Sequence, residues 1–273
     1  MKFDARLPAD GVNVTPTHPL EELGVLLAGL LGVVVVLVLA ATLAVDQLVQ
    51  RLPADVESRL FAHLGSASDP ADDPRSLAVG KLLGRLARHW PERPYAFRVE
   101  VLDEPEPNAL ALPGGLVLVT SGLLESCESE NELAFVLGHE LGHYAGRDHL
   151  RGLGRGVALL LVLGALGAVD AGSAGGLATL AGDIAGRSHD RAQEVRADAF
   201  GIGLVQAEYG HLAGSTGFFE KLPTPASAVE RSVAHYLSTH PLGDERIATL
   251  RRLAHERGWT FDGDLTPFST ASR

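Results

Sequence analysis

The chain has one cysteine, Cys127, one methionine and few aromatics, 5% of 273 residues. A single cysteine excludes an internal disulfide and a cysteine-based zinc site, so any zinc must be held by histidine and carboxylate. Cys127 reads as a small buried or boundary residue. With so few aromatics, the core must be built mostly from Ala, Leu, Val and Gly. Positive charge is also in short supply: 23 Lys and Arg against 34 Asp and Glu give a net charge of -11. A phosphate backbone calls for a basic surface, so nucleic acid is not expected as a partner.

Apolar runs are present. Residues 24–45 contain no charged side chain, and about 20 apolar residues suffice to span a bilayer as a helix. A soluble core helix of that length would normally show a polar face. A cleaved signal peptide would have an apolar core of about 7–15 residues behind a basic start, whereas Glu21 and Glu22 precede this one. The expectation is an uncleaved membrane anchor, with membrane lipid as a partner. Lys2 and Arg6 before it balance Arg51 and Arg59 after it, so the charge rule assigns no orientation.

The rest of the chain divides by pattern. Residues 1–23 form a polar lead-in. Residues 46–74 read as a helix leaving the membrane followed by a Ser/Asp/Pro linker. Residues 75–257 form one domain. Its expected elements are a helix over 75–89 and strands over 97–102, 109–112 and 116–120 around Pro113-Gly114-Gly115. Helices follow over 130–146, 188–206, 228–237 and 244–257. Residues 153–185 are apolar and rich in Gly and Ala. Their uncharged stretch, 156–169, is short for a span, so they read as a helical hairpin, buried or lying on the membrane, with entry into the bilayer as the alternative. Residues 258–273 read as a loose tail.

The most informative segment is His139-Glu140-Leu141-Gly142-His143. Residues four apart share a helix face, so both imidazoles can reach one metal ion. Glu140 then stands beside a metal-activated water as general base. A catalytic zinc takes three protein ligands and keeps one position open. The best third ligand is Glu194, in Glu194-Val195-Arg196-Ala197-Asp198. One turn later, Asp198 is placed to accept the outer N–H of a ligating histidine, which fixes its tautomer. Taken alone, Glu194 would pass for an exposed helix charge paired with Arg191 or Arg196. His149 and His189 lack ligand spacing and read as solvated.

H-E-x-x-H followed by E-x-x-A-D on a later helix resembles the HtpX and CAAX prenyl protease type of membrane-associated zinc metallopeptidases, in the gluzincin group. Three further segments fit: Asn108 to Thr120, resembling a strand pair beside the cleft; Glu130-Asn131-Glu132-Leu133-Ala134 leading into the zinc helix; and Ser238-Thr239-His240-Pro241 followed by Asp244-Glu245-Arg246-Ile247. The resemblance covers residues 75–255. It implies a mainly α (α+β), zincin-like domain with a small sheet beside the zinc helix, preceded by one transmembrane helix. It implies one Zn2+ per chain on His139, His143 and Glu194, with Glu140 as base and Asp198 behind a ligand. His240 would stabilise the oxyanion or occupy the open position. The chain departs from HtpX in having one clear membrane helix, and it lacks the polytopic scaffold of the prenyl proteases, so CAAX processing is not expected.

The implied activity is membrane-anchored metalloendopeptidase action on polypeptides, misfolded or membrane-associated. Leu116, Val117, Leu118 and Val119 are the expected substrate strand, pairing with an extended peptide. The alternative is a self-inhibited or non-proteolytic relative acting in membrane protein assembly.

Overall fold

The computed structural model describes residues 18–62, 73–165, 190–221, 240 and 244–268. The expected helix over 228–237, the hairpin beyond 165, most of the 65–74 linker and His189 lie outside them. The architecture is mainly helical, with one three-stranded sheet.

Helix α1, Pro19–Arg51, is one continuous apolar rod, exposed nearly throughout and long and apolar enough to cross a membrane. It begins earlier and ends later than the apolar run 24–45, because Glu21 and Glu22 suit a helix N-terminus and nothing breaks the helix before Pro53. The short α2, Ala54–Leu60, starts there. Helix α3, Pro74–Arg88, is capped by Asp73 and buries Val79, Leu82, Leu83 and Leu86.

The sheet comprises β1 (Arg98–Leu102), β2 (Ala109–Leu112) and β3 (Leu116–Thr120), in the order β1-β3-β2. β1 runs parallel to β3 and β2 antiparallel to it. The β2–β3 turn requires Gly114 and Gly115, both at φ 84. β3 is therefore central. Its backbone groups are used on both neighbours, which corrects the expectation that Leu116 to Val119 offer a free edge to substrate. The edge on the zinc-helix side is β2.

After the short α4, Ser121–Ser126, comes α5, Glu130–Gly146, buried from Asn131 to Tyr144. Ser129 caps it by accepting from the Glu132 N–H, and Tyr144 Oη donates to the Leu112 and Leu116 carbonyls, fastening the helix to the hairpin. Burial on all sides explains why α5 lacks a polar stripe. Helix α6, Asp148–Ala165, folds back along α1. Arg155 pairs with Asp46 at 2.9 Å, and a methyl on Gly154 would run into Val45.

Helix α7, Arg191–Tyr209, opens on a capping box between Asp190 and Gln193 and ends at Gly210. It makes the principal helix contact of the molecule, with α5. Small residues permit it: a methyl at Gly142 would lie 2.6 Å from the Ala197 Cα, and one at Gly201 2.7 Å from the His139 N. The short α8, Gly217–Lys221, and α9, Asp244–Glu256, complete the fold.

Two expectations need correction here. Residues 258–268 are not loose: Thr266 exchanges hydrogen bonds with Glu130 and Asn131 at the start of α5, and Trp259, Phe261 and Phe268 pack on the core. His149 is not solvated; it is buried and bonded to Glu57.

The glycines separate two effects. Gly142→Ala gains about 1 kcal/mol of helix propensity, but its methyl must push apart two backbones, an overpacking cost of about 1–3 kcal/mol or more. Its Tm should fall. At Gly80, where a methyl meets nothing within 4 Å, alanine should raise the Tm. Thermal unfolding of the two variants checks both signs.

Candidate metal centre

α5 and α7 cross with their chemistry face to face. From α5, His139 Nε2 and His143 Nε2 lie 3.0 Å apart. From α7, Glu194 places Oε2 3.5 Å from His139 Nε2 and Oε1 3.4 Å from His143 Nε2. His240 brings Nδ1 to 3.1 Å from His139 Nε2 and 3.2 Å from Glu194 Oε1. All four side chains are buried, and their donor atoms fall within 4.8 Å of one another.

The residues fit zinc on two counts. Donors about 2.0–2.1 Å from a tetrahedral ion stand about 3.3 Å from each other, and the separations here are 3.0–3.5 Å. The charge balance also calls for a cation. Glu140, Asp148, Glu194 and Asp198 are buried carboxylates, against one buried guanidinium, Arg246.

Each helical ligand has a carboxylate behind it. His139 Nδ1 donates to Asp198 Oδ1 at 2.9 Å, and His143 Nδ1 to Asp148 Oδ2 at 3.1 Å. Both bonds leave Nε2 facing the cluster and fix the tautomer. Asp198 is held by Arg246 (Nε to Oδ2, 2.8 Å), which also reaches Glu194 Oε2 at 2.7 Å. Asp148 Oδ1 accepts from Gln193 at 2.9 Å and Arg196 at 3.2 Å. Glu140 Oε2 accepts from the Ala111 N–H of β2 at 2.9 Å. Its Oε1 is buried with no hydrogen-bond partner and lies 3.6 Å from His240 Nε2.

Proton affinities follow this arrangement. Burial raises the Glu140 carboxyl above the ordinary range, only partly opposed by the histidines. Burial lowers His139 and His240. It opposes charge on His143 as well, but the bonds to Asp148 and Glu194 outweigh it and push this imidazole up to about 9. Glu194 and Asp198 are held down against burial, the first by His143 and His240, the second by Arg246 and His139.

His139, Glu140, His143, Glu194, Asp198 and His240 therefore meet at one point. Leu116 to Val119 do not reach it; β2 does, through Ala111. Glu194 pairs with Arg246, not with Arg191 or Arg196. Sequence reasoning missed Asp148 and Gln193 and gave Arg246 no role. Asp148 lies five residues beyond His143, outside helical register. It comes within reach because α5 stops at Arg147, which adopts a left-handed conformation at φ 54.

Asp148→Asn and Asp198→Asn should each weaken zinc binding about 10–100-fold, the usual consequence of disturbing a ligand's outer partner. Competition against a chromophoric chelator measures it. Asp148→Asn should act through His143, for which the sequence signalled no partner.

A model of peptidase family M48 matches residues 79–254. Mitochondrial metalloendopeptidase OMA1 of Schizosaccharomyces pombe is 28% identical over 201 residues, 72% of this chain and 58% of that protein. The Beta-barrel assembly-enhancing protease of Escherichia coli is 31% identical over 202 residues, 70% of this chain and 41% of that protein. Metalloprotease YcaL of Escherichia coli is 27% identical over 209 residues, 72% and 80% of the two chains. The chain thus spans about half the length of the first two relatives. The match extends through both metal-bearing helices, α5 and α7, and the chain belongs to peptidase family M48, whose members are zinc-dependent.

Proposed function

We propose that the chain is a membrane-anchored zinc metalloendopeptidase acting on extended polypeptide segments. The observation that carries this reading is Glu140. A structural zinc site needs ligands only, yet here a buried carboxylate stands beside the donor cluster with one oxygen held and the other unused. Bound zinc supplies an acidified water and a Lewis acid. His139, His143 and Glu194 would hold it. Asp198 and Asp148 keep the two imidazoles in the ligating tautomer. Glu140, with its proton affinity raised by burial, is suited to take a proton from the attacking water and hand it to the leaving amine. The Ala111 N–H orients that carboxylate.

The outer edge of β2 runs past the same point, and extended peptides add to such edges through main-chain hydrogen bonds. This recognises backbone more than side chain. Two relatives bear the names of a metalloendopeptidase and an assembly-enhancing protease, which supports polypeptide substrates. Anchoring by α1 favours substrates at or in the membrane, including misfolded ones. An HtpX-like placing within the family rests on the order of the four motifs.

A second feature belongs to this reading. Three protein ligands and an open position define a catalytic zinc, but His240 supplies a fourth donor at ligand distance. We place His240 as a competitor for the open position, giving a closed, self-inhibited form; as an oxyanion donor it would instead assist.

Two variants test these roles. Glu140→Gln should bind stoichiometric zinc and lose casein cleavage by about 10²–10⁴-fold. His240→Ala should cleave faster than wild type if the side chain closes the site, and slower if it serves the oxyanion. Should zinc-loaded wild type and His240→Ala both leave casein and other unfolded proteins intact, the peptidase reading fails and the assembly-factor alternative takes its place.

A further inference from the structure

Among the described residues outside the metal centre, the most heavily bonded buried carboxylate belongs to Glu57, on α2, directly behind α1. It is 0% exposed. Oε1 accepts from the Gly114 N–H at 2.9 Å and from His149 Nε2 at 2.9 Å, and Oε2 accepts from Tyr95 Oη at 2.6 Å. Burial alone would raise its proton affinity, but these donors reverse the shift. A charge is thus kept inside the protein at the point where α2 meets the domain.

Two of those bonds lead to the metal centre. His149 follows Asp148, whose carboxylate orients His143. Gly114 is the turn residue of the hairpin whose strand β2 holds Glu140 through the Ala111 N–H. A third tie joins them: Arg147 Nη1 donates to the Val49 carbonyl at 2.6 Å and to the Leu52 carbonyl at the end of α1. Three consecutive residues therefore divide the work. Arg147 grips the end of the membrane helix, Asp148 orients a ligand, and His149 binds α2. Arg147 is also the only non-glycine residue with positive φ among those described. Such a conformation persists only where surrounding structure enforces it, and here the grip on α1 does so.

We infer that Glu57 is a positioning residue for the metal centre: by docking α2 it sets His143, through His149 and Asp148, and Glu140, through Gly114 and β2. The end of the anchor is then part of the catalytic unit and not a passive tether. A merely structural hub would lower stability when cut but leave the folded fraction with normal zinc affinity and turnover. A positioning hub alters both in molecules that are folded.

This rests on the peptidase reading for its kinetic part only. The test uses the full chain in detergent micelles. Glu57→Gln keeps the shape and removes the charge. In the folded protein it should weaken zinc about tenfold, the lower end for disturbing a ligand's outer partners, and lower kcat on casein with KM little changed. Arg59→Gln, on the exposed face of α2, should leave both as in wild type. If Glu57→Gln does not fold, His149→Leu, which removes the bond leading from Glu57 toward Asp148, decides the matter and should weaken zinc about tenfold. Wild-type zinc affinity in the folded variant would overturn the inference. If wild-type protein binds zinc but cleaves nothing, the peptidase reading falls while the zinc comparison still decides the role of Glu57.

Discussion

Everything at the metal centre depends on how closely α5 and α7 approach. Imidazole and carboxylate side chains are short, and a single ion about 2 Å from each donor allows almost no slack. Packed helices usually lie about 8–10 Å apart. Gly138, Gly142 and Gly201, with Ala197, let backbone meet backbone, and this brings Glu194 onto His139 and His143. The same contact explains why a glycine, Gly142, stands inside H-E-x-x-H despite its helix cost. Here the pattern of small residues is a distance requirement expressed in sequence.

Close approach creates an electrostatic problem that the fold solves locally. Four carboxylates, Glu140, Asp148, Glu194 and Asp198, are buried together. Arg246, from α9, answers two of them and so connects that helix to the zinc helices. Asp148 is answered by Gln193, Arg196 and Arg151, so the start of α6 is tied to the start of α7. Glu140 keeps one oxygen that accepts no hydrogen bond and lies 3.6 Å from His240 Nε2. A buried charge without a partner is costly, and the fold meets that cost by raising its proton affinity.

Much of this was legible in the sequence because it is written at helical spacing. His139 with His143, and Glu194 with Asp198, are pairs at i, i+4, and apolar alternation marked the strands. What was not legible depends on where elements stop or on who their neighbours are. Asp148 needed the left-handed turn at Arg147. The central place of β3 needed the parallel pairing of β1 beside it, which no local pattern carries. His149 looked solvated because its partner, Glu57, stands 92 residues away. The segment from Gly258 looked loose because its few apolar residues, Trp259, Phe261 and Phe268, have no periodicity, although they pack against the core and Thr266 bonds the start of α5.

His240 presents the sharpest physical choice. With Nδ1 among the ligand atoms it completes a tetrahedral set, and a complete set is what distinguishes structural zinc sites from catalytic ones. Yet Nε2 of the same ring lies 3.6 Å from Glu140, the proposed general base. One imidazole cannot both fill the open position and leave room for a water and a substrate carbonyl. Burial lowers its proton affinity, which favours the neutral ring that a metal ligand must be. If the ring fills that position, as proposed, an arriving peptide would have to displace it, and main-chain bonds along β2 would be a source of free energy for doing so. On that reading substrate binding and site opening would be one equilibrium: short ligands that cannot engage the strand would leave His240 in place, and extended chains would move it.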